Sequence, residues 1–322
     1  MKIRMRGNPN DKHRWGVILG GGDGTRLLPL TRALTGDDRP KQFCRLVGEK
    51  TLLAQTRHRV AGIVRPERTV FVLTESHAPF YKPELAGVPL WRMVVQPSNR
   101  GTLPAILSSL IRIVRLDSQA VVAFFPSDHH YADERTFTTK MMSAFAPAES
   151  SSGVILLAAS SSAPETEFGW IEPKPKPANG ELPEVKCFWE KPSAQVAQTL
   201  LDRGCLWNTF VMVGRASVFL ELIRSAEPSL YEIFQASLMS HRLDQYPKLL
   251  RAIYEQIETM DFSRRVLSGM TQKLSVLNMG DIGWNDLGDP FRVNALLARA
   301  RNRKPVGQAL GPEAVSCIAT VG

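Results

Sequence analysis

The sequence predicts an α/β protein built on a mixed, mostly parallel sheet flanked by helices. Two observations predict it. Short apolar runs alternate with segments of helical periodicity from residue 15 onward, and the first run leads directly into a glycine-rich turn. Strands that are covered by helices on both faces have nearly continuous apolar sequences, and these runs have that character. The expected fold is therefore Rossmann-like, with ligands at the carboxyl ends of the strands.

The elements follow in chain order. Apolar and β-branched runs predict strands at 15–19, 69–74, 92–96, 120–126, 153–160, 185–190, 207–214 and 273–279. Helical spacing predicts helices at 51–64, 104–116, 193–203, 216–240, 245–259 and 290–302. Residues 161–184 are rich in Pro, Ser and Gly, which predicts a turn-rich lobe mounted on the main sheet.

Composition excludes several classes of protein. With 322 residues and 43% apolar content, the chain can bury a large core. No apolar stretch reaches the ~20 residues of a membrane span, and the first residues lack the apolar core of a secretory signal, so a cytoplasmic location is expected. The four cysteines, Cys44, Cys187, Cys205 and Cys317, lie far apart without a CxxC pair. They predict reduced thiols rather than a zinc site or a disulfide framework.

The net charge of +9 raises the question of polyanionic partners. Lys and Arg are spread along the chain, apart from clusters at 2–14 and 299–304. No basic stripe with interleaved aromatic residues accompanies them, which favours solvated ends over a nucleic-acid-binding surface. A triphosphate substrate would itself favour a basic pocket.

The turn GGGDGTR, residues 20–26, follows the first strand and is the most informative segment. Glycines let backbone amides approach a phosphate closely, and Arg26 adds a fixed charge. The dinucleotide pattern GxGxxG fails because Thr25 stands at its third glycine, and a Walker A motif fails because no lysine lies between Arg14 and Lys41. The segment predicts a phosphate-binding turn of another kind, since a plain turn needs fewer glycines.

Asp128 is a candidate ligand of a magnesium ion, since it follows the strand at 120–126 within Ser127-Asp128-His129. A second carboxylate, Asp286 in GWNDLGDP, is implied as a ligand only by the family resemblance given below. Magnesium prefers oxygen ligands, usually one or two carboxylates plus phosphates. A helix cap is the alternative role for Asp128, and a packed turn is the alternative for the segment around Asp286. The histidines lack a GxSxG nucleophile motif, so a triad hydrolase has little support.

The glycine-rich turn, followed by RPKQF at Arg39–Phe43, resembles the signature of the hexose 1-phosphate nucleotidyltransferases. PKQF together with TLLAQTRHRV most resembles the mannose-1-phosphate guanylyltransferases. Seven motifs occur in family order between residues 15 and 294. The resemblance implies the nucleotide-diphospho-sugar transferase type of fold without a C-terminal β-helix. It also implies a tail at 1–14, a nucleotide half at about 15–160, a sugar-phosphate half at about 161–294, and a final helix and tail at 295–322.

The resemblance also implies roles for individual residues. The catalytic residues are Arg26, Lys41, Asp128 and Asp286, and the two aspartates hold Mg²⁺. The nucleotide-binding residues are Leu19, Gly20, Gly21, Gly22, Gly24, Thr25, Arg26, Gln96, Arg100, Thr102 and Ser127. The residues for the sugar phosphate are Gly169, Glu190, Lys191 and Asn208. The chain departs from the family pattern at Gly101, Leu103, Phe168, Trp170 and Thr209.

The implied reaction transfers a nucleotidyl group from an NTP, GTP above all, to a hexose 1-phosphate, mannose 1-phosphate above all. The partners are then small-molecule substrates, without nucleic acid or membrane, and a homodimer is the oligomer considered. Three alternatives stay open: a uridylyl- or thymidylyltransferase acting on glucose 1-phosphate, a catalytically silent homologue that binds a sugar nucleotide and regulates a partner, and a nucleic-acid-binding protein.

Overall fold

The computed structural model describes residues 12–239 and 245–303. The strands are β1 (Arg14–Leu19), β2 (Thr69–Thr74), β3 (Met93–Gln96), β4 (Val121–Pro126), β5 (His130–Tyr131), β6 (Val154–Ser160), β7 (Gly169–Pro173), β8 (Val185–Glu190), β9 (Leu206–Arg215), β10 (Leu274–Asn278) and β11 (Trp284–Asn285). The helices are α1 (Leu28–Thr35), α2 (Leu52–Ala61), α3 (Ala78–Glu84), α4 (Thr102–Leu116), α5 (Glu134–Ser150), α6 (Ala194–Asp202), α7 (Ala216–Ala226), α8 (Pro228–Met239), α9 (Tyr246–Gln256) and α10 (Pro290–Arg303).

Within the described residues the main sheet has the order β10-β6-β9-β4-β1-β2-β3, and β7 and β8 branch from β9. Strands β1 to β4 are parallel to one another, and β9 alone runs antiparallel to its two neighbours β4 and β6. The predicted mixed, mostly parallel sheet is therefore confirmed. Strand β1 lies between β2 and β4, so the turn that follows it lies at the middle of the sheet's carboxyl edge.

Helices cover both faces because successive strand side chains point to opposite sides. In β4, Phe124 packs into the cluster formed with α4, α7, α8 and α9, whereas Phe125 packs into the cluster formed with α2, α3, α5 and α6. A third, smaller cluster joins Leu27, Cys44 and Leu52 to Leu287 and to Val293 of α10. This third cluster attaches the last helix to the segment around the glycine-rich turn.

All eight predicted strands are present, within one residue at each end. The helix predicted at 216–240 is instead two, because Pro228 disfavours helical geometry at Glu227, which has φ −138° and ψ 69°. The sequence analysis missed α1, α3 and α5. It also missed the two-residue strands β5 and β11, and β7, which lies inside the segment predicted to be turns.

Some predictions fall on residues outside the described ranges. Residues 1–11 and 304–322 include most of the predicted tails, most of the first basic cluster, and Cys317. The other three cysteines, Cys44, Cys187 and Cys205, are free thiols as predicted. No helix in the described part of the chain is both long enough and apolar enough to cross a bilayer.

Candidate active site

The glycine-rich turn continues directly from β1, and side chains hold its carbonyl groups. Gln42 Nε2 donates to the carbonyl oxygens of Gly20 and Gly22 at 3.1 and 2.7 Å. Thr74 Oγ1 donates to the carbonyl oxygen of Gly21 at 2.8 Å. A Cβ at Gly21 would lie 2.5 Å from Gln96 Nε2 and 3.0 Å from Thr74 Oγ1, so any larger residue would displace these two side chains. The protein itself therefore holds the turn in one shape, as a preformed anion site requires.

The ammonium of Lys41 connects the ends of two distant segments. Its Nζ donates to the carbonyl oxygens of Asp286 and Leu287 at 2.6 and 3.0 Å. It also lies 3.1 Å from Asp128 Oδ2. Lys41 is 9% exposed, so these contacts replace most of the water that an ammonium group would otherwise bind. We call Lys41, Asp128 and Asp286 the lysine junction.

A short ladder of backbone pairs brings the two aspartate segments together. Strands β5 and β11 are antiparallel, with Trp284 opposite Tyr131 and Asn285 opposite His130. Asp286 follows β11 directly, and Leu287 then adopts a left-handed conformation with φ 49°. The amide of Leu287 donates to Asn285 Oδ1 at 2.7 Å, which stabilises this turn. The ladder therefore brings together two motifs that lie far apart in the sequence.

Each carboxylate of the lysine junction faces its own cation. Burial alone would raise the pKa of Asp128, but the nearby ammonium of Lys41 outweighs it, so that pKa lies below its ordinary value. The Asp286 carboxylate accepts from Arg292 Nη1 at 3.0 Å and from the amide of Gly288 at 3.0 Å. The sequence analysis did not identify Arg292, because Asp286 precedes α10 and a spacing of six residues is not one at which helical side chains meet.

His129 lies beside the lysine junction in its neutral form. Burial lowers the pKa of its imidazole below the ordinary value. Trp284 Nε1 donates to His129 Nδ1 at 3.2 Å, which makes Nδ1 an acceptor and places the ring proton on Nε2. His129 therefore contributes to packing and hydrogen bonding next to Asp128.

A cavity of about 380 Å³ opens beside the glycine-rich turn, at the carboxyl ends of β1 and β4. The predicted residues that line it are Leu19, Gly21, Gly22, Gln96, Thr102, Ser127 and Asp128. The sequence analysis did not assign Gln42, Asn99 or Asp261, which line it too. The volume falls within the range of small-molecule sites. The structure thus brings most of the predicted nucleotide-binding residues to one concave surface.

The wall of this cavity depends on a close approach at Gly101. A Cβ there would lie 2.3 Å from the carbonyl oxygen of Met260, and Gly101 has φ +82°. Thr102 Oγ1 donates to Asp261 Oδ2 at 3.1 Å and accepts from the amide of Phe262 at 2.8 Å. The departure from the family pattern at Gly101 thus has a local reason, because only glycine admits this backbone contact.

Arg100 has a different placement from the one predicted. Its Nε donates to the carbonyl oxygen of Tyr254 on α9 at 3.2 Å, and it is not among the residues that line the cavity. Four other predicted nucleotide-binding residues, Gly20, Gly24, Thr25 and Arg26, also lie outside the cavity lining. These four residues belong to the glycine-rich turn, of which Gly21 and Gly22 do line the cavity.

Three of the predicted sugar-phosphate residues lie together. Gly169 of β7 pairs with Glu190 of β8, and a Cβ at Gly169 would lie 3.0 Å from Glu190 Oε2 and 3.2 Å from the Asn208 Cβ. Burial, reinforced by the charge of Asp261, raises the pKa of Glu190 to about 7. Lys191 follows with φ 51°, and its amide donates to the carbonyl oxygen of Phe168 at 3.2 Å.

Two predicted cations share one carboxylate at the surface. Arg26 Nη1 lies 2.7 Å from Glu167 Oε2, and Lys191 Nζ lies 3.5 Å from the same oxygen. The side chains of Arg26, Lys191 and Glu167 are 51%, 45% and 44% exposed. We call Arg26 and Lys191 the exposed cation pair. It brings the glycine-rich turn and the sugar-phosphate residues next to each other.

Asp128 and Asp286 offer two carboxylates, the kind of oxygen ligand that magnesium prefers. Among the described residues, no group of three or more His, Cys, Asp and Glu side chains could hold a metal ion. A site with two carboxylates, completed by substrate phosphates, is the arrangement that Mg²⁺ commonly uses. The donor set of Asp128 and Asp286 fits this arrangement.

Comparison with known proteins gives consistent matches. Residues 15–300 match the model of the family described as nucleotidyl transferase. Xanthan biosynthesis protein XanB of Xanthomonas campestris is 30% identical over 276 residues, which are 84% of this chain and 57% of that protein. Mannose-1-phosphate guanylyltransferase 2 of Escherichia coli O157:H7 is 28% identical over 286 residues, again 84% of this chain and 57% of the relative. The chain thus spans little more than half the length of these relatives.

A solved structure is similar over nearly the whole chain. It is described as a mannose-1-phosphate geranyltransferase from Thermus thermophilus, with a TM-score of 0.77 and 27% identity. The match covers 93% of this chain and 83% of that one.

Proposed function

This chain belongs to the nucleotidyl transferase family, and we propose that it transfers a guanylyl group from GTP to mannose 1-phosphate, giving GDP-mannose and pyrophosphate. The names of the Escherichia coli relative and of a 28% identical relative from Sinorhizobium fredii support this choice of substrates. The PKQF form of the motif supports it too. We place the reaction in the cytoplasm, where both substrates are soluble.

The observation that carries the proposal is the position of the lysine junction beside the glycine-rich turn. The turn, the PKQF lysine and the two aspartates come from four separate parts of the sequence. Gln42 donates hydrogen bonds to carbonyl oxygens of the turn, and its neighbour Lys41 donates to the carbonyl oxygen of Asp286 within the lysine junction. The turn and the junction are thus connected through two consecutive residues. Phosphoryl chemistry requires this kind of positioning more than it requires a nucleophilic side chain.

In the proposed reaction, an oxygen of the sugar phosphate attacks the α-phosphorus of GTP in line. A bond forms between that oxygen and the α-phosphorus, and the bond to the bridging oxygen of the β-phosphate breaks. Pyrophosphate leaves with that oxygen. No general base is needed, because the attacking phosphate oxygen is already ionised. Arg26, Lys41 and Lys191 offset the phosphate charges, and the amides of the glycine-rich turn bind the triphosphate.

Magnesium, held by Asp128 and Asp286, would supply further neutralisation of phosphate charge when it is bound. The side chains of the protein position the two substrates. Glu190 and Asn208 orient the sugar through hydrogen bonds to its hydroxyls, and the cavity lined by Gln96 and Thr102 receives the nucleoside.

A substrate screen tests the proposal. The purified protein is incubated with Mg²⁺, each NTP and each hexose 1-phosphate, and release of pyrophosphate is measured. We expect the highest turnover with GTP and mannose 1-phosphate. Preference for UTP or dTTP with glucose 1-phosphate would overturn the assignment of substrates. Absence of turnover with every pair would overturn the assignment as an enzyme and favour a silent regulatory homologue.

A further inference from the structure

We propose that Glu167 competes with the substrate phosphate for the exposed cation pair, and that this competition sets how tightly the pair binds phosphate anions. This inference rests on the proposed function, which assigns Arg26 and Lys191 to substrate phosphates. Glu167 then tunes affinity through these two cations before the substrate arrives.

The contacts place a single carboxylate oxygen between the two cations. Glu167 Oε2 lies 2.7 Å from Arg26 Nη1 and 3.5 Å from Lys191 Nζ. A phosphate oxygen carries the same kind of charge and makes the same charge-assisted hydrogen bonds to guanidinium and ammonium groups. Glu167 therefore uses the donors that a phosphate would use.

Other carboxylates near the site have other partners. Glu165, two residues earlier, pairs with Arg292 at 2.7 Å. Asp23, in the glycine-rich turn, pairs with His77 at 3.2 Å. Across residues 12–239 and 245–303, Glu167 is the one carboxylate within ion-pair distance of Arg26 or Lys191. A single side chain, that of Glu167, therefore competes with phosphate for these two cations.

The backbone around Glu167 is fixed, whereas its side chain faces solvent. Trp170 Nε1 donates to the carbonyl oxygen of Glu165 at 2.7 Å, and Phe168 is 6% exposed and packs against Trp207 and Trp284. The side chain of Glu167 is 44% exposed. It can rotate away from the two cations without any movement of the backbone, because exposed side chains change rotamer rapidly.

The consequence is a lower affinity of the exposed cation pair for phosphate anions. A hexose 1-phosphate can carry two negative charges on its phosphate and also offers its sugar to Glu190 and Asn208, so it displaces Glu167. Inorganic phosphate has no sugar and gains only from the cations. Glu167 thus weakens the binding of both anions by a similar factor, and the hexose 1-phosphate keeps the additional contacts of its sugar that inorganic phosphate lacks.

The test compares wild-type protein with the Glu167→Gln variant. We expect the variant to have a KM for mannose 1-phosphate about three- to tenfold lower, because removing an exposed ion-pair competitor has an effect of this size. We expect its kcat to change less than twofold. Inorganic phosphate, titrated by calorimetry, should bind more tightly to the variant by a similar factor, and it should become a stronger inhibitor.

Glu181→Gln is the matched control, because it removes the same charge from an exposed turn of the same lobe. It should leave both KM and phosphate affinity at wild-type values. Equal KM and equal phosphate affinity in wild type and Glu167→Gln would overturn the role of Glu167. The same gain in Glu181→Gln would overturn it as well, since the effect would then be one of overall charge.

The calorimetric comparison separates this inference from the proposed function. If no substrate pair releases pyrophosphate, the proposed function fails. A phosphate affinity that is still higher in Glu167→Gln would then support the competition by Glu167 at an anion site of another purpose. If the wild type turns over and the two affinities are equal, the role of Glu167 fails while the proposed function stands.

Discussion

The lysine junction and the exposed cation pair present positive charge in two different ways. Lys41 is 9% exposed, and its ammonium already contacts two carbonyl oxygens and a carboxylate. Arg26 and Lys191 are about half exposed and share one carboxylate oxygen. A buried charge with several partners is fixed in position, whereas an exposed ion pair is weak and easily exchanged. The lysine junction is therefore part of the framework of the site, and the exposed cation pair is free to exchange partners.

This difference predicts that changes in the lysine junction affect catalysis most, and that changes at the exposed cation pair affect mainly binding. Stability should follow the same division, because only the buried contacts are costly to lose. The predictions below run from the largest expected effect to the smallest.

Asp286→Ala should abolish turnover, by at least about a thousandfold in kcat, because a carboxylate proposed to hold the metal is lost. The fold should survive, as measured by circular dichroism and a cooperative thermal transition. Asp289→Ala is the matched control, since Asp289 also pairs with Arg292 at 3.3 Å but has no proposed role with the metal. An active Asp286→Ala enzyme would contradict the metal assignment.

Lys41→Met should reduce both activity and stability. We expect kcat to fall by about a thousandfold, as for other groups that stabilise charge in a transition state. The free energy of unfolding should fall by about 1–3 kcal/mol, because the carbonyl oxygens of Asp286 and Leu287 lose their partner. Urea unfolding and steady-state kinetics measure the two effects. Loss of activity at wild-type stability would show that the buried contacts of Lys41 contribute nothing to the fold.

Lys191→Met should act on substrate binding. We expect the KM for mannose 1-phosphate to rise by about ten- to a hundredfold, since a charged partner of the phosphate is removed. The free energy of unfolding should change by less than about 0.5 kcal/mol, as for a surface substitution. Initial rates at varied mannose 1-phosphate and urea unfolding measure the two. A marked loss of stability would place Lys191 with the buried framework and remove the contrast between the two regions.

The pKa of Glu190 predicts a pH dependence in sugar binding. Its pKa is raised to about 7, so the carboxyl is largely protonated at pH 6 and largely ionised at pH 8. An ionised carboxylate accepts stronger hydrogen bonds from sugar hydroxyls. The KM for mannose 1-phosphate should therefore fall about three- to tenfold between pH 6 and pH 8.

Glu190→Gln supplies the control for this pH dependence. Ionisation of the substrate phosphate affects both proteins equally, so the ratio of the two KM values isolates Glu190. A ratio that does not change with pH would refute the role of this carboxyl in binding the sugar.

Much of the fold could be predicted from the sequence because its strands are dense in apolar residues. Helix α5 was missed for a different reason. Its buried residues Phe137, Met141 and Phe145 have helical spacing, but three threonines near its start and Pro147 near its end are poor helix formers and obscured the pattern. Proline also explains the one predicted helix that proved to be α7 and α8.

The composition of the candidate site could be predicted from its motifs, but its internal pairing could not. The motifs indicate Lys41, Asp128 and Asp286, yet nothing in their spacing reveals that Lys41 bonds to backbone carbonyls of the last motif. Glu167 belongs to no predicted motif, and its partner Arg26 lies 141 positions earlier in the chain. Arg292 has a near partner in Asp286, but its other partner Glu165 lies 127 positions earlier. Such contacts depend on tertiary structure, which short patterns do not encode.

The bond from Lys41 to the Asp286 carbonyl spans 245 positions of the chain. During synthesis, the ribosome makes the lysine long before it makes the oxygen that the lysine will bind, and closing so wide a loop costs entropy. A nascent chain that has not reached β11 therefore holds an ammonium group without its acceptors. The centre proposed to handle nucleotides is completed only after the rest of the sheet, so a half-made polypeptide lacks part of that centre.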